Sequence, residues 1–171
     1  MRTVLAGGRV FDGTGAPIAD ADVLFEDGRI VEVGPGLDGD ERVGVSGRTL
    51  LPGMFDCHTH VMFSHIDFLK MMEEPFSQMY FEAANNLRAT LGIGITTIRD
   101  AGGADLGVKT AVEKSLTPGP RMQISLAMIS QTGGHGDGWL PTGAQFPFPP
   151  DWPGMPSSIV DGPQEMRRKI R

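Results

Sequence analysis

The chain has 171 residues and a formal net charge of −6, with 15 basic and 21 acidic residues. This balance argues against a nucleic-acid-binding protein, because the basic residues cluster only in the last turn, at Arg167, Arg168, Lys169 and Arg171. The single cysteine, Cys57, excludes an intrachain disulfide framework. No signal segment and no apolar run of ~18 residues is evident. We therefore expect a cytoplasmic protein with no membrane partner.

Residues 1–52 read as short strands separated by turns, without a helical period. Apolar and polar residues alternate over 22–25 and again over 29–33, and the Asp27-Gly28 pair between them is typical of a two-residue hairpin. Gly7-Gly8 is expected to separate two further short strands. Histidines and carboxylates do not cluster here at ligand spacing. We therefore predict a small antiparallel β subdomain with a structural role.

The segment LLPGMFDCHTH, residues 50–60, carries the strongest chemical signal. Pro52-Gly53 breaks the preceding element, and residues 54–58 are predicted to form a short strand that leads into His58-Thr59-His60. Side chains two residues apart on a strand share a face, so both imidazoles can reach one metal ion at ~2.0–2.1 Å. Asp56 lies on the same face and could orient a ligand or add an oxygen. For a bare His-x-His triplet, a surface strand with two titratable residues is the commoner explanation, but the context here favours metal binding.

Beyond residue 60, strand and helix signals alternate. A Met- and Phe-rich loop over 61–74 precedes a helix over 74–92, and a helix over 105–116 follows the next strand. The remaining predicted elements are strands over 95–100 and 121–129, a glycine-rich turn over 132–138, a proline-rich loop over 145–155, and a last helix capped by Asp161. This alternation predicts an α/β fold whose parallel sheet has right-handed crossovers.

Three candidate positions follow predicted strands, where α/β barrels place their functional residues. They are His58 and His60 after the first strand, Arg99-Asp100 after the second, and His135 after the third. His135 lies among glycines whose backbone N–H groups could meet a carboxylate or oxyanion, although an ordinary loop histidine would have the same sequence. A full barrel needs ~250 residues, so residues 53–171 can hold about three strand–helix units of a partial TIM-type (β/α)8 barrel.

The other candidates have simpler explanations. His65 is expected to be packed or merely exposed. An internal ion pair between Arg99 and Asp100 explains their sequence as well as a role in catalysis does. Cys57 should face away from the histidines and serve in packing. A set of Met and Phe residues could line an apolar substrate pocket or form ordinary core, at positions 62, 63, 68, 71 and 72.

The chain resembles the amidohydrolase superfamily, in which a PG-x-x-D-x-H-x-H stretch forms the first barrel strand. It is most similar to the imidazolonepropionase-like branch, which includes metal-dependent Xaa-Pro dipeptidases and carboxypeptidases. Besides residues 50–60, the motifs that carry the resemblance are Val10-Phe11-Asp12-Gly13, Asp27-Gly28-Arg29-Ile30, Ser46-Gly47-Arg48-Thr49, Thr96-Thr97-Ile98-Arg99-Asp100 and Thr132-Gly133-Gly134-His135-Gly136.

The resemblance implies that His58 and His60 bind one or two divalent transition-metal ions of zinc type, and that His135 contacts substrate. It implies a hydrolase of C–N bonds acting on a dipeptide-like or N-acyl amino acid substrate. A cyclic-amide hydrolase, a deaminase and a non-catalytic fragment or partner chain are the alternatives. The family's lysine, further histidines and late aspartate cannot be placed here, so no residue is assigned as catalytic. We expect an incomplete chain, inactive alone, whose barrel a continuation or companion chain completes in a homo-oligomeric enzyme.

Overall fold

The computed structural model describes residues 1–145 and 159–171. The chain divides into two compact units, Met1–Met54 and Phe55–Arg171. Apart from Gln145, the proline-rich loop predicted over residues 145–155 lies outside the described residues. Within the described ranges, none of the helices combines the length and the apolar character needed to cross a membrane.

The first unit is built on a five-stranded sheet. Its strands are β1 (Arg2–Val10), β2 (Ala19–Glu26), β3 (Arg29–Gly34), β4 (Glu41–Gly44) and β5 (Thr49–Leu50). The order is β3-β2-β1-β4, and β5 also pairs with β1. The predicted hairpin forms, since Asp27 and Gly28 both have positive φ between the antiparallel strands β2 and β3.

The expectation of a purely antiparallel subdomain is wrong. β2 runs antiparallel to β1 and β3, but β4 and β5 pair with β1 in parallel. The reason is topological, because the chain leaves β3 at one edge of the sheet and returns on the far side of β1. Hairpin turns specify pairing between successive strands, whereas the pairing of β1 with β4 joins segments about 38 residues apart.

Gly7-Gly8 does not end a strand as predicted. β1 continues through both glycines, and its register with β2 shifts between Leu5 and Gly8. Gly7 has φ +76°, and its N–H donates to the carboxylate of Asp22 at 2.8 Å. A glycine at positive φ accommodates an extra residue as a β-bulge, so the ladder resumes instead of ending.

The carboxylate of Asp22 predicts how the first unit responds to acid. The Gly7 N–H lowers the pKa of Asp22 below 3.8, helped by Leu37 N–H and Arg42 and opposed by burial. A depressed folded-state pKa contributes stability above the unfolded pKa that is lost as pH falls through the folded value. Asp22→Asn should therefore lower the urea midpoint of the intact protein at pH 7, and the difference should shrink below pH 3.8. Asp20→Asn, at an exposed position two residues earlier on the same strand, is the control, and an equal effect of both variants would contradict the prediction.

The second unit alternates strands and helices. Its elements are β6 (Met54–Thr59), α1 (Phe68–Glu73), α2 (Gln78–Gly92), β7 (Ile95–Asp100), α3 (Leu106–Glu113), β8 (Arg121–Ile124) and α4 (Gly162–Lys169). The sheet order is β6-β7-β8, and β7 and β8 are parallel as predicted. The predicted strand over 95–100 is confirmed at both ends.

Several predicted elements differ from the structure. The helix predicted over 74–92 begins only at Gln78, and the helix predicted over 105–116 ends at Glu113. The segment over 61–74 is not all loop, because Asp67 accepts a hydrogen bond from Lys70 N–H and caps the short helix α1. The strand predicted over 121–129 ends at Ile124, since Leu126 has φ +67°, which extended backbone does not allow.

One apolar cluster holds the helices against the sheet. Met79, Ala83 and Leu87 recur every four residues along α2 and face Ile98 of β7 and its neighbours. The buried cluster comprises Val61, Met62, Met71, Met79, Ala83, Leu87, Ile98, Ala104, Val108 and Met122. This core fixes the ends of β6 and β7, where the candidate site residues lie.

Candidate functional site

His58 and His60 lie side by side at the end of β6. Their ring centroids are 5.2 Å apart with an interplanar angle of 75°, as the strand alternation predicts. His58 is exposed, whereas His60 is half-buried and stacks on Phe63 at 5.6 Å between ring centroids. The two imidazole rings are therefore close neighbours at this strand end.

The backbone of the next strand end orients the ring of His60. Nδ1 of His60 lies 2.8 Å from the carbonyl oxygen of Gly102. A carbonyl can only accept a hydrogen bond, so Nδ1 carries a proton, and in the neutral imidazole Nε2 then presents its lone pair. This is the arrangement that metal-binding histidines commonly show, in which one ring nitrogen donates to a backbone carbonyl and the other faces the metal.

Asp100 organises the turn that supplies this carbonyl. It is fully buried, and its carboxylate accepts hydrogen bonds from the N–H groups of Val61, Gly102 and Ala104 at 2.8, 3.1 and 3.1 Å. Burial raises the pKa of Asp100, while these donors and the nearby His60 oppose the rise. In the described part of the chain, Asp100 makes no ion pair with Arg99, contrary to the alternative weighed from sequence; Arg99 Nε donates instead to the carbonyl of Cys57 at 2.7 Å.

A cleft of about 720 Å³ opens where the three strands of this sheet end. It is lined by His58, Arg99, Asp100, Ala101, Ser125, Leu126, Ala127, Met128, Ile129, Lys169, Ile170 and Arg171. The lining includes the three cationic side chains of Arg99, Lys169 and Arg171. Its one side-chain carboxylate, that of Asp100, already accepts hydrogen bonds from backbone N–H groups. The cleft therefore offers a positive environment beside His58, which favours a ligand with an anionic group.

His60 opens onto a different surface. It lines a second cavity of about 340 Å³ with Thr59, Val61, Phe63, Asn86, Ala89, Thr90 and Ile93. Asp56, expected near the histidines, accepts a hydrogen bond from the backbone N–H of His58 at 3.0 Å, so it fixes the strand end. Among the described residues, no group of three or more His, Cys, Asp and Glu side chains lies together as a metal site.

His135 is exposed in the glycine-rich turn and is not among the residues that line either cleft in the described chain. Asp137 accepts a hydrogen bond from Gly133 N–H at 2.6 Å. Asp161 binds the N–H and hydroxyl of Thr132, which lowers the pKa of its carboxyl group. Asp161 thus stands at the N-cap of α4 as predicted, but its side chain holds the turn and does not cap the helix.

The structure shows the contacts or exposure of the remaining candidate residues. His65 pairs with Glu74 at 3.4 Å, and Cys57 is exposed, contrary to its expected packing role. Met62 and Met71 belong to the core, which favours the core interpretation over an apolar pocket, whereas Met72 is 49% exposed. The sequence did not predict that the Gly102 carbonyl and the Asp100 carboxylate would position His60. The only sequence signal was the acidic residue at the strand end followed by two glycines, which permit close backbone approach.

The chain is similar in sequence to an ochratoxinase and an imidazolonepropionase, and in structure to a prolidase. An ochratoxinase of Aspergillus niger is 29% identical over 186 residues, covering 99% of this chain and 39% of that protein. An imidazolonepropionase of Micrococcus luteus is 37% identical over 89 residues, covering 50% of this chain and 20% of that protein. The crystal structure of a prolidase complexed with N-methylphosphonate-L-proline is 34% identical, with a TM-score of 0.79 over 98% of this chain and 42% of that one.

The chain thus spans about 40% of the length of the ochratoxinase and of the prolidase that it matches over nearly all its residues. The family model described as "Amidohydrolase family" matches residues 49–170, which include β6, β7, β8 and both histidines. This match confirms the resemblance carried by the sequence motifs. The chain belongs to the amidohydrolase family.

Proposed function

We propose that the chain is the N-terminal portion of a metal-dependent hydrolase that cleaves the amide or peptide bond of a dipeptide-like or N-acyl amino acid substrate. Residues 1–52 would contribute to a composite β domain, and residues 53–171 would form the first three strand–helix units of a (β/α)8 barrel. The similarity to a prolidase and an ochratoxinase over almost the whole chain supports this class of reaction. The sequential order β6-β7-β8 and the parallel pairing of β7 with β8 support the barrel.

The hydrogen bond between His60 Nδ1 and the Gly102 carbonyl carries the metal proposal. It leaves the lone pair of His60 Nε2 available for a metal ion, and the ring centroids of His60 and His58 lie 5.2 Å apart. Two imidazoles fit one or two divalent ions of zinc type, and the usual third protein ligand has to come from the rest of the enzyme. When bound, such an ion lowers the pKa of a water molecule and polarises the scissile carbonyl.

This chain's own residues would bind and orient the substrate. Arg99 lies in the cleft beside His58, where its guanidinium can attract the carboxylate of a dipeptide-like or N-acyl amino acid molecule. His135 is proposed to contact the substrate from the glycine-rich turn. We also propose that the enzyme is a cytoplasmic homo-oligomer. The exposed apolar side chains of Leu69, Met72 and Phe81 favour burial against the rest of the enzyme or a second subunit.

Steady-state hydrolysis assays of the intact protein test the substrate class. Xaa-Pro dipeptides and N-acyl amino acids should be hydrolysed, and removing the metal with a chelator should abolish turnover until Zn²⁺ is restored. Amidated analogues that lack the carboxylate should show a higher KM, because the cationic cleft loses its partner. Undiminished turnover after complete metal removal, or no hydrolysis of any amide substrate, would contradict the proposal.

A cyclic-amide hydrolase or a deaminase is the second candidate. Half of the chain is similar to an imidazolonepropionase, and this similarity supports the second candidate. Enzymes with different names therefore share the sequence pattern of this part of the chain. The same assay distinguishes the two candidates: ring opening or ammonia release without cleavage of linear amides would support the second and contradict the first.

A further inference from the structure

We propose that Asp100 is a positioning residue that holds the imidazole of His60 in one orientation and one tautomer for metal binding. The proposal rests on the proposed function, because His60 matters to catalysis only as a ligand. Asp100 acts through two of its contacts with backbone N–H groups: one with Val61, which follows His60, and one with Gly102, whose carbonyl lies beside the imidazole.

The first contact fixes the backbone next to His60. Oδ2 of Asp100 accepts the N–H of Val61, the residue that follows His60, at 2.8 Å. Ala101 N–H also donates to the carbonyl of Thr59, the residue before His60, at 2.8 Å. The end of β6 is therefore tied to the end of β7 on both sides of the histidine.

The second contact fixes the acceptor of the imidazole proton. Oδ1 of Asp100 accepts the N–H of Gly102 at 3.1 Å, and the carbonyl of the same residue accepts from His60 Nδ1 at 2.8 Å. Asp100, Val61, His60 and Gly102 thus form a closed ring of covalent and hydrogen bonds. A change at Asp100 must alter the position of the Gly102 carbonyl or of the His60 backbone.

Packing leaves the Gly102 carbonyl little freedom. Gly102 has φ +149°, and a Cβ atom at this position would lie 2.6 Å from Cγ of Met128. Gly103 N–H donates to the carbonyl of Leu126 at 3.2 Å, which anchors the turn to the segment after β8. Because Asp100 is fully buried, no water competes for these donors, and its two oxygens fix the turn.

The sequence that follows Asp100 suits this positioning role. Two glycines come next, and both bring the backbone close to a neighbour: a Cβ at Gly102 would lie 2.6 Å from Cγ of Met128, and one at Gly103 would lie 3.3 Å from Cβ of Met62. Phe63 stacks on the His60 ring, so the imidazole is contacted on its face by Phe63 and at its edge by the Gly102 carbonyl.

Nitrogen NMR of the intact protein labelled with ¹⁵N-histidine tests this without using activity. In the metal-free wild type, His60 should be protonated at Nδ1 and unprotonated at Nε2. In Asp100→Asn, which keeps the shape but loses one acceptor oxygen, the two tautomers should mix. Zn²⁺ affinity, measured against a competing chelator, should fall by about 10–100-fold, the usual cost of losing an outer partner of a metal ligand.

Two further variants separate positioning from general damage. Asp105→Asn alters a carboxylate in the same loop that caps α3 and should leave both the His60 spectrum and the Zn²⁺ affinity unchanged. Asp100→Glu keeps both acceptor oxygens and should recover part of the wild-type spectrum and affinity relative to Asp100→Asn.

The wild-type spectrum can overturn the proposal even if the variants do not fold. A proton on Nε2 of His60 in the metal-free wild type would overturn the proposal, as would an Asp100→Asn protein with unchanged tautomer and affinity. Failure of the proposed function has a different signature. The wild type would then show the Nδ1–H tautomer, and Asp100→Asn would disturb it, but neither protein would bind Zn²⁺.

Discussion

Replacing His58 and His60 together with alanine should remove the bound metal and lower kcat/KM of the intact protein by at least about 10³-fold. The size of the effect follows from chemistry, because Lewis-acid activation contributes several kcal/mol to the transition state, and each ~1.4 kcal/mol is tenfold in rate. The single variants should each weaken metal binding, since the two rings lie on one strand with their centroids 5.2 Å apart.

His65→Ala is the matched control for this experiment. It removes a third histidine of the same unit, whose Nε2 contacts Glu74 at 3.4 Å, and it should retain the metal and most of the activity. Metal content by plasma mass spectrometry and kcat/KM should be measured on the same preparations. Metal stoichiometry unchanged in the double variant would rule out His58 and His60 as ligands.

Leu87→Ala should be the most destabilising single truncation in the core of the second unit, lowering the free energy of unfolding by about 2–5 kcal/mol. Leu87 is 1% exposed and packs from α2 into the cluster that contains Ile98. The loss combines the transfer free energy of the deleted methyl groups with the cavity that a close-packed interior cannot fill. Urea unfolding of the intact protein measures this difference.

Leu91→Ala provides the comparison on the same helix. Leu91 lies one helical turn further along α2 and is 37% exposed, so its truncation removes less buried surface and leaves no closed cavity. Its effect should stay below about 1.5 kcal/mol, about half of the full burial value for leucine. Equal shifts for the two variants would mean that α2 does not bury the face that contains Leu87.

Local patterns predicted the parts of the fold that depend on neighbouring residues. The Asp27-Gly28 hairpin and the strand that ends at Asp100 follow from turn residues and from alternation. The parallel pairing of β1 with β4 did not follow, because pairing between distant segments leaves no local pattern. The bulge at Gly7 could not be predicted, because a glycine pair in the sequence is compatible with the end of a strand and with a shift of its register.

The same difference between local patterns and contacts of distant residues applies to the candidate site. The His58–His60 pair was predicted because the two-residue repeat of a strand fixes which side chains share a face. The hydrogen bond from His60 to Gly102 joins residues 42 positions apart and uses a backbone carbonyl, which any residue could supply. The role of Asp100 was equally hidden, because its partners are backbone N–H groups and not the neighbouring Arg99.

Native mass spectrometry of the intact protein tests the central claim most directly, because it reads polypeptide mass and bound metal in one spectrum. We predict that the 18.3 kDa sequence is recovered within a longer polypeptide or together with a companion chain, carrying one or two transition-metal ions. The double variant of His58 and His60 should appear in the same assembly without the metal. A wild-type protein that remains metal-free after incubation with Zn²⁺ would contradict the assignment of His58 and His60 as metal ligands.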